Sequence, residues 1–240
     1  MRLIVDIGNT FTKLGVSNNN NEVTNLTRLP NNNSQIIEYI SSFPIKKAII
    51  SNVGKENTEL IKYLKKLNIP SIIFNSNTPI PIKNLYKTPE TLGVDRLAAI
   101  IGAYSLYVKQ NILIIDAGTA LTIDFINEKG EYLGGNISPG IEMRFKSLNN
   151  FTEKLPLISK TDKYNTIGDS TETAIISGVQ QGIINEIEGY ISHFSNKYKN
   201  LKIILTGGDS FFFEKNIKNT IFANSELVLI GLNNILQYND

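Results

Sequence analysis

The chain has 240 residues, a formal charge of +2, 41% hydrophobic and 19% charged residues, and no cysteine. That length can bury one large or two small cores without staples, and the composition lies far from the disordered class. Without cysteine, disulfide frameworks, thiolate nucleophiles and cysteine-held metals are excluded, and a reducing compartment is permitted. The near-neutral charge, with lysines scattered in pairs such as Lys46-Lys47 and Lys65-Lys66, argues against a nucleic-acid partner.

The first apolar run, Leu3-Ile4-Val5, predicts a buried strand, followed by Asp6-Ile7-Gly8-Asn9-Thr10-Phe11-Thr12 as the turn of a hairpin and by a second strand through Lys13-Leu14-Gly15-Val16. With a strand expected from Leu3, no room is left for a secretory leader. No apolar run has the length of a membrane span, so the cytoplasm is the expected location. Asn18 to Asn21 reads as another turn. A helix is predicted over 34–43, a strand over 48–52, a helix over 56–67 and a strand over 71–74, an alternation that indicates an α/β lobe. Pro79, Pro81 and Pro89 make 75–90 an irregular connection over a site.

Gly93-Val94-Asp95-Arg96 leads into the small and apolar run 97–104, which places Asp95 and Arg96 at a helix start, where amides are unpaired and the dipole is positive. The second half repeats the opening. A strand at 112–115 runs into Asp116-Ala117-Gly118-Thr119-Ala120-Leu121-Thr122, then come a strand over 122–126, a turn at 128–131 and a strand through Tyr132 and Leu133. Gly134-Gly135-Asn136-Ile137-Ser138-Pro139-Gly140 precedes a helix over 141–148. A long helix runs from Thr171 or Glu172 to Phe194 with a hydroxyl cap at its start. A strand at 203–205 ends in Thr206-Gly207-Gly208-Asp209, and a last helix covers 227–236. The single histidine, His193, shares the long helix with Ile187 and Ile191 and reads as structural, which removes most histidine-based mechanisms.

Each Asp-x-Gly turn alone is also ordinary hairpin chemistry. Two copies after similar strands, with Gly-Gly-Asp after a third, favour phosphate binding instead. The acid can hold a hydrated cation, glycine lets amides approach, and Thr or Asn adds neutral donors. Two such loops facing each other would grip a nucleoside triphosphate from both sides. Asp95-Arg96 can equally be a capped helix start, Ser170-Thr171 a simple N-cap, and the paired glycines turn or packing chemistry.

Taken together, the Asp6-Ile7-Gly8-Asn9-Thr10 motif with Lys13, Tyr86 to Pro89, Gly93-Val94-Asp95-Arg96, Asp116 to Thr122, Gly134 to Gly140, Leu155-Pro156 and Ser170-Thr171 resemble the type III pantothenate kinases, of the acetate kinase, sugar kinase, Hsp70 and actin superfamily. The resemblance covers nearly the whole chain. It implies an α/β fold of two ribonuclease-H-like (actin-like ATPase) lobes with mixed sheets flanked by helices, at 1–105 and 106–240, the last helix being free to cross back onto the first lobe. It also implies a homodimer and ATP-dependent phosphorylation of pantothenate, the first step of coenzyme A synthesis.

By that resemblance Asp6, Ile7, Gly8, Asn9, Thr10, Phe11, Thr12 and Lys13 bind ATP phosphates, with Thr119 as a further ATP contact. Asp6 organises Mg2+ through water, and Asp116 holds a monovalent cation, K+ or NH4+. Tyr86, Gly93, Val94, Asp95, Arg96 and Thr171 contact pantothenate, and Asp95 is the proton acceptor. Pantothenate carries a carboxylate, so donors such as Arg96, Tyr86 and Thr171 are needed, and which of them meets it stays open. Two alternatives stand beside this reading: another kinase or phosphatase of the superfamily, and a nucleotide-dependent regulatory protein like relatives named as transcriptional accessory factors.

Overall fold

The computed structural model describes residues 1–9, 11–18, 22–52 and 58–240. They group into two units, one of 1–108, 130–132 and 226–240, the other of 109–129 and 133–225. No helix among them is long and apolar enough to cross a membrane.

The first unit is built on β1 (Arg2–Ile7), β2 (Phe11–Ser17), β3 (Val23–Pro30), β4 (Lys47–Asn52) and β5 (Ser71–Ile73), in the sheet order β3-β2-β1-β4-β5. The β1–β2 and β2–β3 pairs are antiparallel, whereas β4 runs parallel to both β1 and β5, so the sheet is mixed. The side-chain period of two sorts β1 into two faces. Leu3, Val5 and Ile7 pack with Leu14 and Ile50 against Ile36 and Ile40 of α1 (Asn33–Ser41) and Leu60 and Leu64 of α2 (Thr58–Lys66). Asn32 caps α1 by accepting from the Ser34 and Gln35 amides. Asp6 falls on the opposite face, on which α3 (Val94–Leu106) and α7 (Leu227–Tyr238) lie.

Glycine lets those two helices touch. A Cβ on Gly231 would sit 1.8 Å from the Ala98 carbonyl oxygen, and one on Gly102 2.2 Å from that of Leu227. Close main-chain approach brings the N-terminal turn of α3 down onto the sheet. The far end of α7 is fastened by Asp240, which accepts from Arg2 at 2.5 Å and Lys47 at 2.7 Å.

The second unit holds β7 (Ile112–Ala117), β8 (Ala120–Ile126), most of β9 (Glu131–Pro139), β10 (Lys202–Thr206) and β11 (Phe222–Ala223). β7 pairs antiparallel with β8 and parallel with β10, again a mixed sheet. Its core joins Leu113, Ile115, Leu121 and Phe125 to Phe145 of α4 (Ile141–Asn150), Ile176, Ile183 and Ile187 of α5 (Thr171–Lys197), and Phe212 and Phe213 of α6 (Ser210–Asn216). The first residues of β9 belong to the first unit, where Glu131 and Tyr132 pair with the two-residue strand β6 (Lys83–Asn84).

Several elements differ from expectation. The polar run Val23–Pro30 is a strand, made possible because only one side of it needs to be covered. The strand expected through Tyr132 and Leu133 continues to Pro139, so Gly134-Gly135, which could have been turn chemistry, lies within β9. The connection over 75–90 contains β6 and leads into a short 3-10 turn at Pro89–Thr91. The turn expected at Asn18 to Asn21 lies partly outside the described residues, as does the start of the helix expected at 56.

Candidate active site

Asp6 is placed by strand register. Its cross-strand partners are Lys13 on β2 and Ser51 on β4, so an ammonium and a hydroxyl flank the carboxyl in one row across the sheet. The residue keeps a partly exposed surface, but its Oδ1 is enclosed. Burial raises the Asp6 carboxyl to a pKa of about 6, the charge of Asp95 adds to the rise, and Lys13 and Ser51 oppose it. Ser51 lies near enough to favour the charged form, yet among the described residues neither Asp6 Oδ1 nor Ser51 Oγ completes a hydrogen bond. A carboxylate so placed is poised for a cation.

The turn after Asp6 is braced from beneath. The Gly8 amide donates to the Phe11 carbonyl at 3.0 Å. The Asn31 amide nitrogen donates to the Gly8 carbonyl at 2.9 Å, while its oxygen accepts from the Thr12 hydroxyl at 2.8 Å. Thr12 and Ile7 are buried and offer a phosphate no side chain; Asn9 and Phe11 are exposed, and the Arg28 guanidinium stands 4.0 Å over the Phe11 ring. Thr10 lies outside the described residues.

Gly93 is the N-cap of α3 and makes no side-chain cap, which leaves Asp95 to act within the first turn. Its Oδ1 accepts from the Arg96 amide at 2.8 Å, and the carboxylate stays partly exposed at the positive helix end. Arg96 is buried, with Nη2 donating to the Tyr132 hydroxyl at 3.2 Å. Tyr86 stacks on Tyr132 with ring centroids 5.9 Å apart, and the Arg96 guanidinium stands 5.9 Å from the Tyr86 ring. Structure thus gathers Asp6, Lys13, Tyr86, Asp95 and Arg96, far apart in the chain, into one unit.

The second unit repeats the row with different chemistry. Asp116 is flanked by Thr122 on β8 and Thr206 on β10, hydroxyls on both sides where Asp6 has an ammonium on one. Residue-by-residue matching of the two motifs pairs Thr12 with Thr122, but register makes Lys13 the counterpart of Thr122, because the second hairpin turn is one residue shorter. Gly207, at φ +94, passes so close that a Cβ there would lie 2.5 Å from both Ala117 and Asp116 Oδ1. The Asp209 amide then donates to the Ala117 carbonyl at 2.9 Å, and its carboxylate is paired with Lys160. Thr119 is exposed, and its carbonyl accepts from the Gly140 amide at 3.1 Å.

The model of a family described as type III pantothenate kinase matches residues 2–193. A relative from Phocaeicola vulgatus carrying that name is 46% identical, with 100% of this chain and 99% of the relative covered. The chain belongs to the type III pantothenate kinase family. Among solved structures, a Baf family protein from Campylobacter jejuni is similar at a TM-score of 0.65 and 24% identity, with 99% of this chain and 98% of that one covered. The activator of the 2-hydroxyisocaproyl-CoA dehydratase from Clostridium difficile with bound ADPNP is similar at a TM-score of 0.54 and 12% identity, with 99% and 95% covered. These two likenesses show the fold alone: α/β, with two mixed sheets flanked by helices.

For a type III pantothenate kinase, the donor sets are those of hard cations. The enclosed Oδ1 of Asp6 fits Mg2+, and among the described residues no group of three or more His, Cys, Asp or Glu is arranged to hold an ion. A cation at Asp6 would therefore complete its shell with water and phosphate oxygens, the habit of Mg2+. Asp116 with Thr122 and Thr206 offers oxygen alone, which fits a monovalent cation as well.

Thr171 is exposed at the first position of α5, and the cap itself is made by Ser170 and Thr173, whose hydroxyls and amides are reciprocally bonded. Thr171 is thereby spared capping duty. Sequence reasoning missed Asn31, Ser51 and Tyr132. Pairing β4 parallel to β1 would have exposed Ser51; Asn31 sits in a run of three asparagines with nothing to single it out.

Proposed function

We propose that this protein transfers the γ-phosphoryl group of ATP to the primary hydroxyl of pantothenate, producing phosphopantothenate and ADP at the first step of coenzyme A synthesis. The observation that carries the reading is the approach of Asp6 and Asp95 within the first unit, close enough for one charge to act on the other's titration. A cation-holding carboxylate and a substrate-facing carboxylate are the two acids a phosphoryl transfer to an alcohol needs.

Asp95 accepts a hydrogen bond from the pantothenate hydroxyl and aligns its oxygen with the γ-phosphorus. As the new O–P bond forms and the bond to the β,γ-bridging oxygen breaks, the hydroxyl proton passes to the Asp95 carboxylate and ADP leaves. A carboxylate is a far weaker base than the alkoxide it would have to generate, so orientation comes first and the proton moves late, once bond formation has acidified the oxygen. The turn between Asp6 and Lys13 binds the ATP phosphates, with the exposed Asn9 offering donors and Lys13 setting its ammonium beside them. Mg2+ held through water at Asp6 would neutralise phosphate charge and orient the γ-group. Tyr86, Gly93, Val94, Arg96 and Thr171 bind pantothenate. Thr119 contacts ATP, and Asp116 holds K+ or NH4+.

We assign the protein to the cytoplasm, in keeping with its lack of cysteine, and expect a homodimer, in keeping with Leu133, Ile137 and Met143 exposed on the second unit. A coupled ADP assay with ATP, Mg2+, K+ and pantothenate, run beside sugars and acetate, tests the reading. Turnover with pantothenate alone supports it; turnover with a sugar or acetate in its place rejects it.

A further inference from the structure

We infer that Tyr132 is a positioning residue that sets Arg96 and Tyr86 for pantothenate, an inference that deepens the kinase reading and rests on it. Tyr132 is fully buried, on the stretch of β9 that belongs to the first unit. It acts on both donors through three different groups. Its hydroxyl accepts from Arg96 Nη2 at 3.2 Å. Its ring lies nearly parallel to that of Tyr86, with an interplanar angle of 10° and centroids 5.9 Å apart. Its carbonyl accepts from the Leu85 amide at 3.0 Å, in the segment where Asn84 pairs with Tyr132 and the Tyr86 amide donates to Asn84 Oδ1 at 2.9 Å.

Packing alone does not ask for tyrosine here, since phenylalanine fills the same volume without a hydroxyl to desolvate. The hydroxyl's use is to fix a guanidinium that is itself only 9% exposed. A buried Arg side chain keeps its planar fork in one orientation only while its N–H groups have acceptors in place. The Tyr86 ring, which meets both this guanidinium and the Tyr132 ring, is oriented by the same group of contacts. One side chain thereby fixes the direction of the charged donor and of its aromatic neighbour, and substrate finds both already placed.

The test is Tyr132→Phe, which keeps the ring and removes only the hydroxyl. Steady-state kinetics should show KM for pantothenate raised about ten-fold, the loss of one hydrogen bond to a charged group, with KM for ATP within about two-fold. The same substitution placed in an Arg96→Gln background should add little, because the two residues act as one unit. Purely structural loss would lower the melting temperature and move both KM values together. An unchanged pantothenate KM, or effects that simply add in the double variant, overturns the inference while leaving the kinase reading intact. Wild-type protein that fails to phosphorylate pantothenate at all overturns both.

Discussion

Asp6 at the end of β1 and Asp95 in the first turn of α3 lie close enough that the charge of Asp95, after burial, helps lift the Asp6 carboxyl to a pKa of about 6. Their approach depends on Asp6 facing the side of the sheet that carries α3 and α7 and on those two helices packing closely together. In the ligand-free protein the two carboxylates repel each other, an effect Lys13 offsets in part, and a bound cation would relieve the rest.

The raised carboxyl gives a pH signature. Below pH 6, Asp6 takes up a proton and ceases to compete for Mg2+, so the apparent affinity for Mg-ATP should fall by up to about ten-fold per pH unit as the medium is acidified. Initial rates against Mg-ATP concentration between pH 5 and pH 8 would show this. A KM for Mg-ATP that stays flat across that range would show that the Asp6 charge is not what holds the nucleotide.

Stability should carry the opposite sign from that of a salt-bridged aspartate. Because the folded pKa lies above the ordinary aspartate value of 3.8, the folded state binds more protons between these two values, and stability falls as pH rises through that interval. Asp6→Asn should therefore stabilise the ligand-free protein at pH 7, on the order of 1–2 kcal/mol in urea titration. The gain should vanish well below pH 3.8, where the wild-type carboxyl is protonated in both states. Activity should be lost at every pH.

Asn31 braces the phosphate turn with both ends of one amide. Asn31→Ala removes its bonds to Gly8 and Thr12. The buried Thr12 hydroxyl loses its acceptor, at a cost of about 1–2 kcal/mol in stability. Kinetically the change should raise KM for ATP several-fold and leave KM for pantothenate alone, since Tyr86 and Arg96 are held elsewhere. Equal shifts in both constants would mean the brace is general rather than local.

Helix contact supplies a purely structural pair. Gly231→Ala drives a methyl into the Ala98 carbonyl and should destabilise by about 1–3 kcal/mol. Gly178→Ala on α5, where an added Cβ meets nothing within 4 Å, should stabilise by roughly 0.4–1 kcal/mol. Thermal melts of the two variants should move in opposite directions.

Much of this architecture was legible because β1, β4, β7 and α3 are apolar runs of strand or helix length bounded by polar or glycine residues. The Asp-x-Gly repeat marks both hairpins, and Gly93 followed by a small-residue run marks the start of α3. β3 was hidden because Val23–Pro30 alternates threonine, asparagine and arginine with few apolar residues, and an edge strand needs no more. α6 was hidden because Phe211, Phe212 and Phe213 form a continuous apolar run with no helical period. At the site, motif residues could be named one by one, but partners set by register could not. Ser51 enters only through the parallel β1–β4 pairing, and Tyr132 only through the long connection that lays β9 parallel to β6.

Direct detection of phosphopantothenate by mass spectrometry, with wild-type protein and Asp95→Asn run side by side in ATP, Mg2+, K+ and pantothenate, tests the central claim. Phosphopantothenate from the wild type, with turnover in Asp95→Asn lower by about 10²–10⁴ and ATP still bound, is the expected result. No phosphopantothenate from the wild type, or equal amounts from both proteins, would contradict the account.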